Sequence, residues 1–529
     1  MKTVGERLVE GLAARGVEVV FGIPGVHTVE LYRGLSGSKV RHVTARHEQG
    51  AAFMADGYAR VSGKPGVAFV ITGPGLTNAL TAMGQAKADS IPMLVISGVN
   101  RRSTLGKGLG CLHELPDQQA MVRALCPSFQ ISAPEELEPV LDAAFAALFA
   151  DRPGPVHIEV PTDVMPMPVG AISGGSDLRA DLVSETEIGA ACQRLAAAKR
   201  VVILAGGGTR HAAQGLQDLA ERLDAPVVQT VNARGALHGH ALVVPASPSL
   251  DAVRDLIAGA DCVLALGTEL GPTDYDMYVR GGLPDLSGMI RVDCSAEQLD
   301  RHPAAMKVRA SAAAAIAALL AGLQERAAGD GATRAKIARR AALEELARLD
   351  AAMPARLAMV EAIRSACPGA IIVGDSTQPI YAANLYYDHD RPGGWFNAAT
   401  GFGALGFGPG AAVGAALAAP GARVICLIGD GGLQFSPGEL RTAVDEQLPI
   451  TFVVWNNAAF GEIAEAMAGA GTEVIGCSPS PLKMRGFAES CDLPFQTVPA
   501  DPEALFHSLK QAGNGPNLIE VRAIANLPA

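Results

Sequence analysis

Several things are scarce in this chain of 529 residues, and each scarcity narrows what it does. It has nine cysteines but no Cys-x-x-Cys pair and no Cys/His spacing of the zinc-binding kind. That argues against a disulfide scaffold or a zinc module and predicts reduced, structural thiols. Positive charge is in deficit: 43 Lys and Arg face 54 Asp and Glu, a net charge of -11. Nucleic acid and anionic membrane are therefore poor partners. Met1 to Glu6 offers no secretory apolar run, so a cytosolic location is expected. No short-period repeat is present. One long stretch, Pro392 to Ala422, lacks charge altogether, but its glycines, Pro409, Pro420, Asn397 and Thr400 interrupt it. It reads as buried backbone near a ligand and not as a membrane span.

What remains is an ordinary globular composition, 49% hydrophobic and 18% charged, long enough for about three domains. Short β-branched runs alternate with helical stretches, which implies an α/β protein of three doubly wound parallel-sheet domains. In residues 1–168 the strands are expected at Glu18–Phe21, Val67–Ile71, Met93–Ile96 and Val156–Val160. A linker reads from Pro166-Met167-Pro168 to Ser173-Gly174-Gly175-Ser176. The second domain, 180–345, has runs at Val201–Leu204, Pro226–Gln229, Cys262–Leu266 and Met289–Val292, and a helical connector at Thr333–Leu349. The third, 352–529, has runs at Ala370–Val373, Val424–Ile428, Ile450–Trp455 and Asn517–Val521. Three units of similar size could be distant structural copies.

Two of those runs end in chemistry. Asp430 lies in Ile428-Gly429-Asp430-Gly431-Gly432, and Asn457 closes Val453-Val454-Trp455-Asn456-Asn457. A carboxylate and an amide oxygen at neighbouring strand ends suit a hard divalent cation such as Mg²⁺. The adjoining glycines let backbone N–H groups close on a phosphate. Glu48, in Arg46-His47-Glu48-Gln49-Gly50, opens a helix where a carboxylate is favoured. A capping glutamate is the plain alternative.

With Phe21-Gly22-Ile23-Pro24-Gly25, Gly73-Pro74-Gly75 and Gly401-Phe402-Gly403-Ala404-Leu405-Gly406-Phe407-Gly408 added, the chain resembles the thiamine-diphosphate (ThDP) enzymes of the acetohydroxyacid synthase, benzoylformate decarboxylase and pyruvate decarboxylase superfamily over nearly its full length. The resemblance implies a pyrimidine-binding first domain, a central domain and a diphosphate-binding third domain. It implies that Glu48 hydrogen-bonds N1′ of the aminopyrimidine, that Gly403 offers its carbonyl to the 4′-amino group, and that Leu405 enforces the bent cofactor. Asp430, Asn457 and the Ala459 carbonyl would hold Mg²⁺; Gly431, Gly432, Thr377 and Gln378 would surround the diphosphate. Active sites would lie between subunits of a homodimer or homotetramer.

On the substrate side, members of this superfamily decarboxylate a 2-oxo acid and then release an aldehyde or join the remainder to a second carbonyl. His27 follows Gly25-Val26. Leu112-His113-Glu114 stands where acetohydroxyacid synthases have Phe-Gln-Glu, so an imidazole suited to proton delivery replaces an amide. Glu462 follows Phe460-Gly461 where decarboxylases usually have an apolar residue; a carboxylate there would meet a cationic tail or shuttle protons. A structural role for either histidine, and a surface ion pair for Glu462, stand beside these readings. Gly22 to Thr28, Arg46 to Gly50, Leu105 to Gly108 and Cys111 to Glu114 resemble the decarboxylases of 5-guanidino-2-oxopentanoate, although Phe460 stands where Tyr is more usual. The expected function is therefore ThDP- and Mg²⁺-dependent decarboxylation, with an acetolactate synthase-like carboligase as the alternative. In the second domain Gly206-Gly207-Gly208 is followed by His211 where a dinucleotide fingerprint would want glycine, so FAD is not expected.

Overall fold

In the computed structural model, the structure describes residues 1–529 apart from 176–182, 276–281, 283, 328 and 525–529. Ser176 of the expected linker, the start of the second domain at 180 and the end of the third at 529 lie outside the described residues.

Strand β1 (Lys2–Thr3) starts the chain. The first sheet then takes β2 (Val19–Gly22), β3 (Arg41–Thr44), β4 (Gly66–Val70), β5 (Met93–Val99), β6 (Ser128–Gln130) and β7 (Pro155–Pro161). β8 (Pro168–Val169) returns to pair antiparallel with β1, so the proline-rich segment read as linker is tied to the chain start. The second sheet holds β9 (Val201–Ala205), β10 (Val227–Gln229), β11 (Val243–Val244), β12 (Cys262–Leu266), β13 (Ile290–Asp293) and β14 (Met306–Arg309). The third holds β15 (Ile371–Gly374), β16 (Trp395–Asn397), β17 (Val424–Gly429), β18 (Ile450–Asn456), β19 (Phe495–Pro499) and β20 (Asn517–Arg522). The expected three parallel-sheet α/β units are all present.

Their orders differ in an informative way. The first sheet runs β3-β2-β4-β5-β7-β6 and the third β16-β15-β17-β18-β20-β19, the same order when strands are ranked within each sheet. The second runs β11-β10-β9-β12-β13-β14, which is the dinucleotide-fold order. The outer two units are thus topological copies and the central one is not. In an open parallel sheet, ligands bind beyond the carboxyl ends of the strands where the order reverses. In the outer sheets that point lies after β2 and β4, and after β15 and β17.

The charge-free stretch forms β16, an exposed turn at residues 401–403 and the helix Phe407–Ala418, and the helix Glu48–Ser62 of the first domain lies against that helix. Small residues make this possible. A Cβ on Gly57 would fall on the carbonyl of Ala411, and one on Gly414 on the carbonyl of Met54. Side chains from the sheets and helices of both outer domains consequently share a single apolar core, including Phe21, Phe53, Val70, Val373, Phe407 and Val454. At about 1.5–3 kcal/mol for each large apolar side chain fully buried, this core fixes the first domain on the third. The helix is buried against protein, and among the described residues no helix is long and apolar enough to cross a membrane.

Candidate active site

The third domain contributes a site built directly on strand ends. Register pairs Gly429 of β17 with Trp455 of β18, so Asp430 and Asn457 leave adjacent strands at one level. The Asn457 N–H donates to Asp430 Oδ1 at 3.3 Å. The chain then turns through Ala458 in the left-handed region (φ 52°), and Asn457 Oδ1 accepts the N–H of Ala459 at 3.2 Å. Asp430 is 3% exposed, and burial pushes its carboxyl above the usual carboxylate range. A buried carboxylate whose hydrogen-bond partners are backbone N–H groups, with no cationic side chain beside it among the described residues, is what a bound cation would stabilise. Among the described residues no group of three His, Cys, Asp or Glu could hold a metal; the oxygen donors beside Asp430 that could complete a cation site are the Asn457 amide and the Ala459 carbonyl. The donor set is all oxygen and fits Mg²⁺. Gly431 and Gly432 are buried beside Asp430 in the short helix Asp430–Leu433.

Thr377 and Gln378 follow β15 at the same edge. Thr377 is buried at the start of the helix Gln378–Leu385, and the Gln378 amide oxygen accepts from Trp455 Nε1 at 3.1 Å. Gly403 is exposed at φ 73°, and Leu405 is half-buried. Asp375 was not anticipated. It is fully buried, accepts from the N–H of Ser376 (2.8 Å) and Gly408 (2.9 Å), and burial pushes its carboxyl up to about 6. It joins β15 to the first turn of the helix that follows Leu405.

The first domain builds its part from loops and a helix start. His47, not Glu48, is the N-cap of the helix Glu48–Ser62: its Nδ1 accepts the N–H of Gln49 at 3.1 Å. Glu48 is released from capping, and its Oε2 accepts from Asn78 Nδ2 at 3.0 Å. The Gly73-Pro74-Gly75 turn lies beside both Glu48 and His113. A Cβ on Gly75 would come 3.5 Å from Glu48 Oε1, and one on Gly73 would come 2.5 Å from the carbonyl oxygen of His113. The rings of His27 and His113 meet edge to face with centroids 5.4 Å apart. Burial first, and His113 second, push the His27 imidazole below its usual range, and His27 Nδ1 is a buried atom without a protein partner. His113 occupies the left-handed region (φ 61°), an uncommon conformation for a residue with a side chain and one that clusters at functional sites.

Side chains distant in sequence hold this geometry, and the sequence reading missed them. Gln118 is buried; its amide oxygen accepts the N–H of Gly73 at 2.9 Å while its nitrogen donates to Gly98, Ser97 and Glu159. Glu439 of the third domain accepts the N–H groups of both Arg46 and His47 at 3.1 Å. Each is the first residue of a short helix, Gln118–Arg123 and Glu439–Asp445, where a polar residue carries no distinguishing sequence signal.

Glu462 is half-buried in the first turn of the helix Gly461–Gly469. Burial, and then Glu465, push its carboxyl above the usual range, with Arg356 and Gln378 opposing them. The structure therefore places two separate groupings: Glu48, His27 and His113 in the first domain, and Asp430, Asn457, Ala459, Thr377 and Gln378 in the third. Glu48 finds its partner Asn78 inside its own domain, as Asp430 finds Asn457 inside the other.

Comparison with known proteins agrees along the chain. Models of the thiamine pyrophosphate enzymes match here: the N-terminal TPP binding domain at residues 2–121, the central domain at 188–319 and the C-terminal TPP binding domain at 375–521. The chain is 42% identical to the probable 2-ketoarginine decarboxylase AruI of Pseudomonas aeruginosa, over 98% of this chain and 94% of that one. It is 30% identical to the acetolactate synthase isozyme 1 large subunit of Escherichia coli, again over 98% and 94%. To the probable acetolactate synthase large subunit of Methanocaldococcus jannaschii it is 28% identical over 98% and 91%. Three matched domains and a full-length relative at 42% identity make this chain a member of the thiamine pyrophosphate enzyme family.

Proposed function

We propose that this chain is a ThDP- and Mg²⁺-dependent decarboxylase that converts a 2-oxo acid to an aldehyde and CO₂, with 5-guanidino-2-oxopentanoate as its substrate. The observation that carries the reading is the His27–His113 pair beside the turn that also borders Glu48. Decarboxylation of a 2-oxo acid to an aldehyde consumes one proton per turnover, and a carboligase places an acceptor carbonyl where that proton would go. Two imidazoles in contact, one of them with a buried nitrogen free of protein partners, suit proton delivery. The relative named as a 2-ketoarginine decarboxylase supports the same outcome.

The residue roles follow from that reading. ThDP, when bound, supplies the electron sink for loss of CO₂. Asp430, Asn457 and the Ala459 carbonyl hold Mg²⁺; Thr377, Gln378, Gly431 and Gly432 line the diphosphate. Glu48 holds or releases a proton at N1′ of the aminopyrimidine, Gly403 accepts from its amino group, and Leu405 supports the bend. Glu462 orients the guanidinium by charge. The pyrimidine-binding, central and diphosphate-binding roles fall to residues 1–168, 180–345 and 352–529.

The site is completed by a second copy, in a cytosolic homodimer or homotetramer. Glu48 and Asp430 each lack a partner from the other grouping. Exposed apolar side chains flank both: Val26 and Leu112 beside the histidines, Phe402 beside Gly403 and Ile463 beside Glu462. Apolar surface so placed is suited to burial between subunits. Nine free cysteines accord with a reducing compartment. A flavin is not part of the reading: His211 stands where a dinucleotide fingerprint after Gly206-Gly207-Gly208 would want glycine.

The test is a panel of 2-oxo acids incubated with enzyme, ThDP and Mg²⁺, with CO₂ and products read by mass. The guanidino acid should yield 4-guanidinobutanal and CO₂ well ahead of pyruvate. Equal turnover of the two would sink the substrate assignment. Acetolactate from pyruvate as the main product would establish the carboligase reading, which the acetolactate synthase relatives favour.

A further inference from the structure

A residue with no chemistry of its own grips the segment that carries Gly403. Gln85 is fully buried near the C-terminal end of the first-domain helix Pro74–Ala88. Its amide nitrogen donates to the Thr400 carbonyl at 3.1 Å and to Asp89 Oδ2 at 2.8 Å. Its amide oxygen accepts the N–H of Ala404 at 3.2 Å. One side chain thus holds both ends of the third-domain loop that contains Gly403 and leads into Leu405. Asp89 adds a second hold: it accepts from Thr400 Oγ1 at 3.2 Å, and it is itself fixed by Arg60 (2.7 Å) and by Asn232 of the central domain (3.2 Å). Phe402, between the two anchored ends, lies against the same helix, where a Cβ on Gly84 would come 2.7 Å from its ring. At the other end of that helix Gly75 lies beside Glu48.

We propose that Gln85 is a positioning residue for the cofactor. From the first domain of the same chain, it fixes the loop through which Gly403 and Leu405 would meet the aminopyrimidine. The inference rests on the ThDP reading above. An unheld loop would still carry both residues, but it would have to be ordered when the cofactor binds, and that ordering weakens binding.

Wild type and Gln85→Met separate this role from ordinary packing, because methionine keeps the length of the side chain and removes both hydrogen-bonding atoms. ThDP affinity at saturating Mg²⁺ is read by quenching of tryptophan fluorescence. Backbone amide exchange at Ala404 and Gly403 is read on the cofactor-free protein. In wild type the Ala404 amide should exchange at least about tenfold more slowly than that of exposed Gly403. In Gln85→Met that protection should vanish and the ThDP Kd should rise about tenfold, the two hydrogen bonds lost to the loop, at Thr400 and Ala404, being the source. Unchanged Kd in a folded Gln85→Met protein would overturn the proposal while leaving the ThDP reading intact. A wild type that binds no ThDP would overturn the ThDP reading and this proposal with it. Should the variant not fold, wild-type exchange decides: equal rates at Ala404 and Gly403 overturn the proposal, and slow exchange at Ala404 alone supports it.

Discussion

The first and third domains share one strand order, yet they build their halves of the site by different means. In the third, Asp430 and Asn457 are the residues at which two adjacent buried strands stop, and register alone brings them to one level. In the first, Glu48 starts a helix, while His27 and His113 sit on loops 86 residues apart in numbering whose rings meet edge to face, with the Gly73 turn against His113. A strand end is positioned by the sheet. A loop residue needs other side chains, here Gln118 and Glu439, to hold its backbone. The same topology therefore yields one grouping set by strand register and one braced by distant side chains; on the function proposed above these are an anchoring half, holding a diphosphate, and a reactive half, moving protons.

The widest gap between the halves should appear when each loses its carboxylate. Glu48→Ala should lower kcat by about 10²–10⁴-fold, the range for losing a positioned proton-transfer group, while ThDP and Mg²⁺ are still retained on gel filtration. Full turnover in that variant would remove Glu48 from the mechanism. Asp430→Ala should do the reverse. Retention of ThDP should weaken by at least about 10–100-fold, with activity recovering towards wild type at high cofactor and Mg²⁺. Equal loss of retention in both variants would erase the division of labour.

Glu462 tests whether the third domain also reads the substrate. Glu462→Gln should lower kcat/KM for the guanidino acid by roughly ten- to hundredfold, the worth of a charge-assisted hydrogen bond, and leave an apolar-tailed acid unaffected. The pH dependence has a definite sign. Burial holds the Glu462 carboxyl above the usual range, so as pH falls it is neutralised earlier than an ordinary carboxylate. Attraction for the guanidinium is present above that raised pKa and lost on descending through it. KM for the guanidino acid should rise as pH falls, and in Glu462→Gln that slope should flatten. A slope that survives the substitution assigns it to another group.

The contrast between halves also explains what could be read from sequence. Asp430 and Asn457 were legible because an apolar β-branched run, a stop and a polar residue are contiguous. The burial of the helix within Pro392 to Ala422 was legible from the absence of charge, and its partner helix was not, since only the packing pairs Gly414 with Met54. Strands β3, β14 and β19 were missed because their faces are partly exposed, so they lack a continuous apolar run. The central sheet's different order was invisible, because order depends on which strands pair. Gln85 and Glu439 are the deepest omissions: each acts on backbone more than 300 residues away, and no local pattern encodes that.

Glu439 offers the finest test of the comparison, since it belongs to one half and serves the other. It follows Asp430 by nine residues, yet its carboxylate accepts from Arg46 and His47, immediately before Glu48, and from Thr442 Oγ1 at 2.9 Å. Burial raises its carboxyl above the usual range, and these donors offset that. Glu439→Gln keeps one oxygen and turns the other into a donor facing backbone N–H groups. The Arg46–His47 backbone should then shift by a fraction of an ångström. A full ångström of misplacement costs about 10²-fold, so a smaller loss of kcat is expected. The ThDP Kd should not move, because the Asp430–Asn457 contact does not involve Glu439. A variant that instead lost cofactor affinity with kcat intact would show that Glu439 belongs functionally to the domain that contains it, and the division between anchoring and reactive halves would follow domain boundaries after all.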